Sequence, residues 1–131
     1  MKLRHAVLVT ITILAAAAPA VPAAGAAGAR ATCGVRSDRQ LICGNDAPVK
    51  LWAGWKGKPS PVGFRDNLLS NPSVFKCWAR GTPHAGENDI WYYAQGDTYG
   101  KWGWLGANNV HTKDDPPIGM AKCRVDAGGK P

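Results

Sequence analysis

Four cysteines, Cys33, Cys43, Cys77 and Cys123, constrain this chain more than any other feature. They form no C-x-x-C pair, whereas structural zinc normally uses close cysteine pairs, and His84 and His111 stand at arbitrary spacing from them. Disulfides, with no metal and no cofactor, are therefore expected wherever the chain meets an oxidising compartment. The opening "MKLRHAVLVTITILAAAAPAVPAAGAAGARA" points there: Lys2, Arg4 and His5 precede a thirteen-residue apolar stretch at 6–18, then small residues and prolines. That is the layout of a secretory signal, and the apolar stretch is too short to span a bilayer as a helix. The signal and its cleavage region are assigned to 1–29, with cleavage between 20 and 31. The product is expected to be secreted and extracellular, free of membrane and of a lipid on Cys33.

What remains is about 100–110 residues, the size of one domain with a modest core, and covalent staples suit it. Four cysteines can pair in three ways. In "CGVRSDRQLIC" both cysteines are equally distant from Asp38, the middle of a polar turn, so Cys33 with Cys43 is favoured, leaving Cys77 with Cys123. In the chain-entropy account the short loop contributes about 2.7 kcal/mol and the long one about 4 kcal/mol. The long loop would fasten "DDPPIGMAKC" onto the strand that holds Cys77.

After the signal there is no heptad, no long 3.6-residue period and no repeat, and glycines and prolines punctuate short aromatic and β-branched runs. Together these predict an all-β domain. Strands are expected at 32–36, 40–44, 49–53, 62–68, 74–80, 90–95 and 101–105. The segments "SDRQ", "GNDAP", "GWKGKPSP", "SNPS", "GTPHAGEND" and "GDTYG" supply the turns. Seven short strands at this spacing fit a small barrel or sandwich.

The segment "IWYYAQGDTYGKWGWLGANNV" concentrates Trp91, Tyr92, Tyr93, Tyr99, Trp102 and Trp104 within twenty-one residues. Strand alternation places Ile90, Tyr92 and Ala94 on one face and Trp91, Tyr93 and Gln95 on the other, with Trp102 and Trp104 sharing a face. One face must pack inward, and the other is expected to stay partly open in so small a domain. Tyr92, Trp78 and Trp52 are assigned to the core; Trp55, Trp91, Trp102 and Tyr99 are divided between core and surface.

The same segment resembles the C-terminal half of a bacterial SH3 domain. Trp91-Tyr92, Gly96-Asp97, Gly103-Trp104-Leu105 and Ala107-Asn108-Asn109-Val110 occupy the places of its aromatic strand, turn, Gly-Trp-hydrophobic strand and single-turn helix. "VKLWAGWKGKPSPVG" is similar to the first strand and long loop, without the usual Asn-Val-Arg-Ser-Gly-Pro string. The resemblance covers 49–112 and is nearest to small secreted, cysteine-stapled proteins of high-GC Gram-positive bacteria. It implies an SH3-like barrel with an added N-terminal hairpin at 30–48 and a disulfide-anchored tail at 113–131. It also implies a monomeric, non-catalytic module that binds peptidoglycan peptide or another extracellular peptide or polymer in an aromatic groove. Carried over by position, the binding residues are Trp91, Trp104, Asn108 and Asn109, with Trp55 and Tyr99 added as candidate surface rings. Gly106 stands where peptide-binding relatives carry Pro, which argues against a proline-rich ligand.

Two other readings compete. His84 and Glu87 in "TPHAGEND", with Asp89 or His111, could serve acid–base chemistry in a small hydrolase or nuclease-type toxin. "GWKGKPSP" or "GTPHAGEND" could be the exposed loop of an extracellular protease inhibitor. No G-x-S-x-G, phosphate-cradling glycine loop or H-E-x-x-H occurs. The formal charge is +7, or +5 once Lys2 and Arg4 are removed, with fourteen basic and nine acidic residues remaining. Such an excess steers polyanions. The lysines and arginines are dispersed, however, which predicts a solvated, mildly basic surface and no specific nucleic-acid site.

Overall fold

The computed structural model describes residues 33–125; the expected signal and cleavage region fall outside them. Seven strands form: β1 (Gly34–Val35), β2 (Leu41–Cys43), β3 (Val49–Trp52), β4 (Phe64–Leu68), β5 (Ser73–Arg80), β6 (Ile90–Gln95) and β7 (Trp102–Gly106). One 3₁₀ turn, Ala107–Asn109, follows β7. The expected strands are all present, within a few residues of their expected ends. They make a single antiparallel sheet in the order β1-β2-β5-β6-β7-β3-β4.

Both disulfides join the expected partners, Cys33 with Cys43 and Cys77 with Cys123. Two such bonds suit an oxidising environment outside the cytosol. Among the described residues no helix is long and apolar enough to cross a membrane. The N-terminal hairpin is integral to the sheet: β2 pairs with β5, and Leu41 and Cys43 enter the main core. The tail is integral as well. Beyond the end of β2 the open edge of β5 is taken up by residues 121–123, where the Trp78 N–H donates to the Ala121 carbonyl (3.0 Å) and the Cys123 N–H to the Trp78 carbonyl (2.8 Å).

The sheet is covered on both sides. One cluster holds Leu51, Leu68, Phe75, Tyr92, Leu105, Val110 and Met120 among others; the second holds Cys77, Ala79, Trp91, Trp104 and Cys123, with Trp52 and Tyr93 against it. A β-bulge between Phe75 and Cys77 lets β5 serve both: Phe75 points into the first cluster, and Cys77 and Ala79, one register step later, into the second. An extra residue in one strand reverses its facing, so one eight-residue strand builds two cores. The second face of β6 stays partly open, as expected: Trp91 is buried in the second cluster, while Tyr93 is half-buried and Gln95 exposed.

Candidate binding clefts

The aromatic segment divides into rings that hold the fold and rings that reach water. Trp91 and Trp104 retain only 3% and 1% exposure, so neither offers a ring face to a ligand, and their assignment as binding residues is corrected. The cause is the second core. The Trp91 indole N–H donates to the Thr82 carbonyl (2.8 Å) and its ring meets His84 edge-on, while Trp104 packs against Tyr93 at 4.8 Å. Tyr92 is buried as expected. Its hydroxyl donates to Asp115 (2.6 Å), and burial together with that carboxylate pushes the phenol well above its ordinary range, so it keeps its proton and ties the tail to the sheet. Trp52 and Trp78, expected in the core, are half-buried at its margins.

Trp55 and Tyr99 are exposed, at 62% and 66%. Trp55 ends a two-residue hairpin, with paired bonds between Trp55 and Lys58 (both 2.9 Å) and left-handed φ of 46° at Lys56 and 76° at Gly57. That is the turn whose twist matches flanking antiparallel strands, and it needs a residue such as glycine that accepts positive φ. Asn108 is exposed and Asn109 half-exposed on the 3₁₀ turn.

Among the described residues, three clefts bear on function. The first, about 420 Å³, is lined by Pro48, Val49, Lys50, Trp52, Asn67 and Asn109. Alternation along β3 places Lys50 and Trp52 on one side of the strand, and the Lys50 ammonium sits 5.9 Å from the Trp52 ring. Of the residues assigned from the resemblance, Asn109 alone lines this cleft; Pro48, Lys50, Trp52 and Asn67 were missed as site residues. Alternation in "PVKLW" assigned Trp52 to the core, but it could not show that the ring stops half-buried at the rim of a cleft. The other two clefts, about 440 and 360 Å³, flank the tail strand and share Lys122 and Cys123.

The acid–base pair does not assemble. The His84 Nε2–H donates to the Ile90 carbonyl (2.8 Å) and Nδ1 accepts the Gly86 N–H (3.1 Å), so both ring nitrogens serve the backbone of their own loop. Glu87 is exposed at a left-handed turn position, φ 62°, and no hydrogen bond joins its side chain to His84. His84 is thus a loop staple. Replacing it with alanine is expected to lower stability by about 1–2 kcal/mol by orphaning the Ile90 carbonyl and Gly86 amide, read by urea denaturation. Asp89 is taken by Arg80 (2.6 Å), and His111 by Asp46 (3.0 Å). Both suggested inhibitor loops contain tight turns with left-handed residues, not the extended backbone that lies along a protease cleft. Among the described residues no group of three or more His, Cys, Asp or Glu is placed to hold a metal.

No protein-family model, curated protein or solved structure matches the chain.

Proposed function

We propose that the protein is a secreted, non-catalytic, SH3-like binding module that takes a segment of cell-wall peptide or another extracellular polymer in the Trp52 cleft. One observation carries this reading: the half-buried Trp52 ring, with Pro48 and Val49 beside it and the amides of Asn67 and Asn109 at its rim. Apolar walls with a few polar groups form the usual composition of a ligand cleft. The two asparagines supply donors and acceptors for a ligand's peptide or hydroxyl groups. In support of the SH3-like comparison, β5, β6 and β7 run as a meander, and the 3₁₀ turn after β7 places Asn109 at the cleft.

Sedimentation of the oxidised protein with intact peptidoglycan, at low and high salt, tests the reading. Replacing Trp52 with alanine is expected to weaken binding by tenfold or more, and Asn109→Ala by a smaller factor with unchanged stability. Tyr99→Ala, away from the cleft lining, should leave binding unaltered. Binding that is indifferent to both Trp52 and Asn109 would remove the cleft from consideration.

A further inference from the structure

We propose that the paired clefts along the tail strand form a second binding site, for a linear phosphate polymer of the polyol-phosphate or polyphosphate kind. The site shares no lining residue with the Trp52 cleft and stands independently of that reading.

The first of these clefts is lined by Lys56, Lys58, Arg80 and Lys122, and the second, reached across the same strand, by Lys122 with Lys76 and Arg124. Six cations drawn from the Trp55 hairpin, β5 and the tail therefore border two clefts that meet at Lys122 and Cys123. A single acidic residue lines them, Asp38, which is already bonded to Arg36 at 2.6 Å. Among the described residues Lys56, Lys58, Lys76 and Lys122 make no ion pair. Gathering like charges without counterions raises the energy of the free protein and is relieved by an anion.

Three of the lysines are also held in place. The ammonium of Lys56 lies 5.7 Å from the Trp55 ring, that of Lys76 5.4 Å from Trp102 and that of Lys122 5.3 Å from Trp78. Each ring face attracts its cation and narrows the side chain's freedom before any ligand arrives. The hairpin that carries Lys56 is closed by the paired Trp55–Lys58 bonds, and the tail strand is fixed by its disulfide and by its two backbone bonds to Trp78.

The cations suit phosphate. An ammonium is a compact point charge with rotatable donors that meets phosphate oxygens from any direction, and a guanidinium offers a bidentate fork. Of the two arginines, Arg80 is engaged by Asp89 and Arg124 lines the second cleft. Two clefts in series, sharing Lys122, suit a chain that carries repeated charges better than one isolated anion.

The test uses the oxidised protein and inorganic polyphosphate as the probe, followed by calorimetry at several salt concentrations and by amide chemical shifts. Lys56→Asn, which keeps a residue tolerant of the left-handed turn, is combined with Lys58→Gln and Lys122→Gln. A triple change at Arg65, Lys101 and Lys113, each to Gln, removes the same charge elsewhere. The tail-cleft triple is expected to weaken polyphosphate binding at least tenfold. It should also flatten the dependence of log affinity on log salt by about 2, as each lost phosphate contact removes roughly 0.7–0.9 from that slope. The remote triple should change affinity less than threefold, and shifts should centre on Gly57, Arg80, Lys122 and Cys123. Equal weakening by both triples would reduce the effect to net charge and overturn the site. Absent binding, shifts elsewhere, or tighter binding of single-stranded DNA at equal phosphate concentration would each overturn it too.

Discussion

Replacing Cys77 and Cys123 together by serine is expected to lower stability by about 4 kcal/mol and the melting temperature by roughly 15–30 °C. The two residues are 46 apart in sequence, so reducing their bond frees a long loop in the unfolded chain. The folded state loses more than a constraint, because this bond sits inside the second core with Trp91 and Trp104 and clamps the tail strand to β5. Without it, the tail is held by hydrogen bonds such as the two backbone bonds to Trp78, the one from Ala121 to Arg39, those from the Trp78 indole to Met120 and from Arg39 to Gly119, and the Tyr92–Asp115 bond. Opening Cys33–Cys43, ten residues apart, should cost less, about 2.7 kcal/mol. Denaturant unfolding of both serine pairs measures the difference. A loss below about 1 kcal/mol for the long bridge would show that the hydrogen bonds alone hold the tail.

The turn between β6 and β7 should be the second point of failure. Gly96 lies against Asp66, and a Cβ there would come within 2.3 Å of the Asp66 Cβ and Cγ, so Gly96→Ala is expected to cost about 3 kcal/mol or to unfold the turn. The contact is so close because Asp66 fills the turn. Its buried carboxylate accepts the backbone N–H groups of Asn67 (2.7 Å), Thr98 (3.1 Å), Tyr99 (3.0 Å to the nearer oxygen) and Lys101 (2.9 Å). Asp97, at the tip, turns back and accepts the Leu69 and Ser70 N–H groups at 2.6 and 2.8 Å. Two carboxylates thus stitch the turn to the end of β4.

Burial by itself would raise both pKa values, but the bonds from Lys101, Asn67, Tyr99 and Thr98 to Asp66, and from Ser70 and Leu69 to Asp97, outweigh it and hold both below the ordinary carboxylate range. A depressed folded-state value means that the unfolded chain binds the proton more readily. The stabilisation is therefore present above the unfolded value near 4 and lost as pH falls through the folded values. Acid titration of the melting temperature should show a steep decline below about pH 4, and Asp66→Asn should flatten that decline while lowering stability at neutral pH. A profile that is unchanged in Asp66→Asn would place the acid sensitivity elsewhere.

Much of the fold was legible because its signals are local. Turn residues separated the strands, alternation within "SVFKCWAR" and "IWYYAQ" marked them as pleated, and the symmetry of Cys33 and Cys43 about Asp38 pointed to their pairing. The candidate site was less legible. Trp91 and Trp104 carry the same local pattern as Trp102, yet they are buried and Trp102 is exposed. The difference is set by partners outside the strand's own alternation: Trp91 is held by Thr82 and His84 of the preceding loop, and Trp104 packs against Tyr93 inside the second core. His84 looked like a base because Glu87 stands near it in sequence; its role follows from Ile90 and Gly86 closing on both of its nitrogens.

By itself, then, the sequence determined the β-class, the number and places of the strands and the chemistry of the staples, since each depends on neighbours a few residues apart. The tertiary structure alone decided which rings face water and where the positive charge collects. Lys58, Arg80 and Lys122 are scattered along the chain and read singly as solvated surface; they share a cleft because the Cys77–Cys123 bond and the edge pairing with β5 bring the tail beside the Trp55 hairpin. Burial and charge density are properties of segments distant in sequence, and they exist only once the long loop has closed.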